Sequence, residues 1–137
     1  MPRSEERPVY QIAPDSTHNI LAFRLNGMVH MDEMEQFGRD LQQAALGLQG
    51  RPIMIQADVR GFKPAAPEVA DMIRDLQEFG LRLGVVRIAE VVESDVVALQ
   101  LNRVARESGS HRIVRRFWDD QAAREWLIDP DPDSSDP

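Results

Sequence analysis

The stretch Arg51–Phe62, RPIMIQADVRGF, constrains this chain more than any other. Ile53, Met54 and Ile55 form a compact apolar run, and Asp58 to Gly61 break it. A run this short, ending in Asp and Gly, predicts a buried strand that empties into a loop. Pro67 and Glu68 then open a helix, because proline suits the first helical turn, where its missing N–H is not needed. A strand, a turn and a helix in mid-chain predict an α/β domain.

The flanking sequence extends that pattern. Val9–Ala13 and His18–Asn26 predict two strands of a hairpin, with Pro14 to Thr17 as the turn and Asn26–Gly27 as the stop. Met31, Met34, Phe37, Leu41, Ala44, Ala45 and Leu48 recur at spacings of three and four, which makes one stripe of a helix. A second helix, Pro67 to Leu81, carries Val69, Met72, Ile73, Leu76 and Phe79. The β-branched run Val85–Val92 predicts a strand, and Ser94 caps a third helix over Asp95–Glu107. His111–Trp118 predicts the last strand, and Asp119 caps a final helix with Ala122, Ala123, Trp126 and Leu127. The order β-β-α-β-α-β-α-β-α predicts an α/β fold with a mixed, mostly parallel five-stranded sheet and four helices.

A chain of 137 residues is one domain, expected over residues 9–128. Residues 1–8 are expected to be a flexible leader, and 129–137 a disordered acidic tail. No cysteine is present, which excludes thiolate nucleophiles, disulfides and cysteine-bound metal. No apolar run nears the roughly 18 residues of a membrane span, and no apolar segment follows the first charges as in a secretory signal. A cytoplasmic protein is expected. The net charge of −7 opposes general nucleic-acid binding.

Three segments carry a resemblance. They are Asn26–Gly27 followed by a helix near Met31, then Ala57-Asp58-Val59-Arg60-Gly61 after the central strand. The third is Arg116-Phe117-Trp118-Asp119-Asp120 leading to Ala122-Ala123 and Trp126-Leu127. In their order and spacing the chain resembles the SpoIIAA-like (STAS, anti-anti-sigma) family over roughly residues 9–128. The resemblance implies a module that acts by binding, mostly to proteins and sometimes to a nucleotide or apolar ligand. In anti-anti-sigma members a serine or threonine opens the second helix and is phosphorylated, which breaks the partner complex. Here that stretch reads Phe62-Lys63-Pro64-Ala65-Ala66-Pro67-Glu68 and offers no hydroxyl, so no phosphosite is carried over.

Catalytic patterns are missing. There is no glycine-rich phosphate loop, and His18, His30 and His111 lack metal-ligand spacing. Ser108-Gly109-Ser110-His111 reads as a turn rather than a nucleophile elbow. The expectation is therefore no enzyme, no cofactor and no metal. Partner-binding candidates are Asp58, Arg60 and Lys63 in one loop, with Glu90, Glu93 and Ser94 in the next, since ligands of parallel sheets bind at the carboxyl ends of strands. Asp58 has two open readings, a turn-forming acceptor of backbone N–H groups or a binding residue. Arg112 and Arg116, expected on one strand face, either protect a sheet edge or dock an acidic partner or the acidic tail. A protein partner is expected, with a homodimer as one form of it. The alternative is a small apolar ligand, held by residues such as Met28, Met31, Met34, Met72 and Phe79.

Overall fold

The computed structural model describes residues 8–130, so almost all of the expected leader and acidic tail lies outside the described residues. The sheet has five strands: β1 (Tyr10–Asp15), β2 (Ile20–Gly27), β3 (Ile53–Phe62), β4 (Val85–Val91) and β5 (Val114–Phe117). The helices are α1 (Met31–Leu46), α2 (Pro67–Leu83), α3 (Asp95–Ser108) and α4 (Asp120–Ile128). Strand order follows chain order, with β1 antiparallel to β2 and the rest parallel. The mixed sheet with four helices is thus as the sequence predicts.

A sheet that grows in one direction through crossovers of one hand places its crossover helices on one face. Accordingly α1 packs on α2 and α2 on α3, whereas α4 returns across β3, β4 and β5 on the other face. Side chains alternate along each strand. Leu21, Leu25, Ile53, Val59 and Ile88 enter the core beneath α1–α3. Ile20, Met54, Ala89 and Val91 meet Ala123 and Leu127 of α4, both fully buried. The helix starts follow local chemistry: Pro67 occupies the first turn of α2, Ser94 accepts from the Val97 N–H, and Asp119 accepts from the Ala122 N–H. Gly84 ends α2 at φ 118°, a conformation that favours glycine.

Three of the boundaries that differ from expectation do so for a clear physical reason. β3 does not break at Asp58 but runs on to Phe62. Side chains on β2 and β3 satisfy the Asp58 carboxylate, and Gly61 passes so close to Asn26 that a Cβ there would lie 2.7 Å from its Oδ1. β1 includes Pro14, which an outermost strand tolerates because no further strand asks for its N–H. β5 begins only at Val114, because Ser110–Arg112 form a 3₁₀ turn. Arg112 is therefore not on a strand and shares no strand face with Arg116.

Candidate functional site

Three of the polar groupings involve the residues expected to bind a partner: under α4, under α3, and at the carboxyl ends of the parallel strands.

On the α4 face, Asp58 is buried at 6% exposure. It accepts from Arg24 Nε at 3.0 Å, Arg60 Nη2 at 2.8 Å and the Arg60 backbone N–H at 3.1 Å. Arg60 Nη2 also donates to Asp120 Oδ2 at 2.9 Å, so two carboxylates and two guanidiniums join β2, β3 and the start of α4. Burial alone would raise the Asp58 carboxyl, but the hydrogen bonds and charge of Arg60, with Arg24 behind, hold it below its ordinary value. Arg124 of α4 pairs with Asp15 and reaches Gln56, which tightens the same attachment. The network borders a shallow groove of about 490 Å³ over Ala13 and Ala22, where α4 leaves the sheet uncovered.

Under α3, Glu90 is 3% exposed and faces Arg116 of β5, Oε1 to Nη2 at 3.1 Å. That distance makes an ion pair, but neither Glu90 Oε1 nor Arg116 Nε has an aligned hydrogen-bond partner among the described residues. Arg116 Nη2 also donates to the Ala98 carbonyl of α3 at 3.2 Å. Burial pushes the Glu90 carboxyl up, and Arg116 offsets this only in part. Next to Glu90, beneath α2, lies an apolar cavity of about 90 Å³. Phe23, Val59, Ile73, Leu76, Ile88 and Leu101 are among its walls. Met28, Met31, Met34, Met72 and Phe79, the residues expected to line a ligand pocket, are not among the walls of this cavity. Met34 is packed into the core and Met28 is exposed.

At the carboxyl ends of the strands, the loop from β3 to α2 is fixed to α3 by one side chain. Gln100 accepts from the Ala65 N–H and donates to the Ala65 carbonyl, both at 2.8 Å, as a neighbouring strand would. Beside this clamp, α3 exposes Val96 at 62% and Leu99 at 68%, three residues apart and so on one face. Lys63 at the start of the β3–α2 loop and Glu93 and Asp95 at the start of α3 are exposed as well. Ala66 occupies the cap position of α2 and makes no side-chain cap.

The structure thus separates the residues that the sequence grouped. Lys63 and Glu93 stand at the strand ends, as expected. Asp58, Arg60 and Glu90 lie within strands rather than loops. Arg116 points under α3, and Arg112 is exposed on the 3₁₀ turn. Sequence reasoning missed Gln100, Arg24 and Asp120. Asp120 is the one with a local signal, an acid in the first turn of a helix beginning after Asp119.

The clamp has a measurable consequence. Gln100→Ala is expected to cost about 1 kcal/mol, the worth of a typical hydrogen bond or two, and to speed amide exchange at Ala65 while leaving the sheet amides protected. Unchanged exchange at Ala65 would show that the loop holds without it.

A family model described as SpoIIAA-like matches residues 20–128. No curated protein matches the sequence. Among the described residues no helix is long and apolar enough to cross a membrane.

Proposed function

We propose that this chain, which belongs to the SpoIIAA-like family, is a non-enzymatic regulatory or scaffolding module acting by protein contacts in the cytoplasm. One observation carries the reading: Gln100 holds the β3–α2 loop against α3, beside the exposed pair Val96 and Leu99. A rigid apolar centre rimmed by Lys63, Glu93 and Asp95 has the anatomy of a protein interface. With no hydroxyl at the start of α2, docking there is not gated by phosphate on that helix. A homodimer would use this α3 surface rather than a sheet edge, since β1 carries Pro14 and β5 has only four residues. In this reading Lys63 and Glu93 contact the partner, Arg112 adds charge away from the centre, and Asp58, Arg60 and Arg116 support the scaffold.

The test is affinity capture from native extract with Val96→Glu/Leu99→Glu beside wild type and a Gln121→Glu control on α4. Wild type and control are expected to retain the same defined protein, and the double variant to lose at least about tenfold of it, since each buried glutamate adds an unpaired charge. Equal capture by all three would contradict the reading.

The cavity beside Glu90 favours a second reading, a carrier or sensor of a small, largely apolar molecule.

A further inference from the structure

The cavity beneath α2 has one unusual wall. Glu90 is the only ionisable residue lining it. Its Oε1 is closed off from open space and faces Arg116 at 3.1 Å. The other polar lining residue, Gln77, already accepts from the hydroxyls of Ser108 and Ser110, at 2.7 and 3.0 Å. The space presents apolar surface on nearly every side and one carboxylate, Glu90, whose second oxygen accepts no hydrogen bond among the described residues.

We propose that this cavity binds a small molecule with a compact apolar body and a single hydroxyl, which donates to Glu90. The inference rests on the second, ligand-binding reading. Three alternatives fit the walls less well. A pure hydrocarbon fills the space but leaves the second oxygen unmet. A cation must be stripped of water and placed beside Arg116, which already supplies positive charge. Water needs two to four polar partners per molecule, and these walls do not offer them to a cluster. A hydroxyl costs less to desolvate than a charge and needs only one partner.

Size sets the class further. A volume of about 90 Å³ equals about three waters in the liquid, which suits a body of about four or five heavy atoms. Access runs past α2, in which Val69 is the only fully buried residue while Ile73, Leu76 and Gly80 over the cavity are half-buried. Such a helix, with few deep contacts, opens at lower cost than the strands beneath it.

The test uses the full chain, labelled for amide NMR, with n-butanol as the hydroxyl probe and xenon as the apolar one. Both are expected to shift the amides of Gly80, Ile88 and Glu90 saturably. In Glu90→Leu/Arg116→Leu, which replaces the buried pair by apolar groups of similar size, n-butanol affinity is expected to fall about tenfold. Xenon affinity is expected to stay the same. Glu90→Gln, which keeps an acceptor oxygen, is expected to retain the n-butanol response and serves as the control on folding. Equal n-butanol affinity in wild type and the double variant would overturn the role of Glu90 while leaving a ligand cavity standing. No saturable shift with either probe would overturn the ligand reading as well.

Discussion

Arg116→Ala is expected to destabilise the fold by about 3–4 kcal/mol at neutral pH, measured by urea unfolding. The loss is not mainly that of a good ion pair. It arises because Glu90, 3% exposed, keeps a charge in the core with nothing opposite it. The linkage gives the sign of the pH dependence. The folded Glu90 carboxyl is already raised by burial, and removing Arg116 raises it further. A carboxyl raised in the folded state binds more protons there, so the folded state gains at low pH and loses as pH rises through the raised value. The cost of Arg116→Ala is therefore expected to shrink near pH 4. Glu90→Leu/Arg116→Leu removes both charges and is expected to stay within about 1 kcal/mol of wild type. A cost for Arg116→Ala that is equal at both pH values would show that packing under α3, rather than the Glu90 charge, sets the effect.

Asp58→Ala is expected to cost about 2–3 kcal/mol. The buried carboxylate holds Arg24 and Arg60 together, and through Arg60 it reaches Asp120 at the start of α4. The figure lies below that of a fully buried pair, because the side chains of Arg24 and Arg60 are 43% and 32% exposed and keep part of their hydration. Here the sign is opposite to that of Glu90. A carboxyl lowered in the folded state stabilises above its unfolded value, about 3.9, and this stability is lost as pH falls through the folded value. Wild type and Asp58→Ala are thus expected to converge in acid. A cost below about 0.5 kcal/mol at pH 7 would show that the Asp58 network does not hold the fold together.

These two residues also mark where sequence reading reaches its limit. The starts of α2, α3 and α4 are written locally, in Pro67, Ser94 and Asp119, and each acts within three residues of itself. The mostly parallel pairing of the sheet follows from alternating strands and helices. By contrast, Asp58 resembles a strand breaker until Arg24, 34 positions earlier, is brought beside it by strand pairing. Arg116 reads as an edge cation until the β4–β5 register sets it opposite Glu90. Gln100 looks like one more polar residue on a helix, and its partner Ala65 is 35 positions away. Met28, Met31, Met34 and Met72 read as residues that could line a pocket, yet the cavity under α2 is walled by other residues, from β2, β3, β4 and all of α1–α3.

The most direct measurement of the central claim uses Lys63, the only lysine of the chain. With the N-terminal amine blocked, a short amine-reactive cross-linker added to the captured complex reacts on this protein at Lys63 alone. With Lys63 at the rim of the proposed docking surface, the partner is expected to be joined through it, and Val96→Glu/Leu99→Glu to lose the cross-linked product. A partner that remains bound while never joining through Lys63 would put the interface elsewhere and contradict the account.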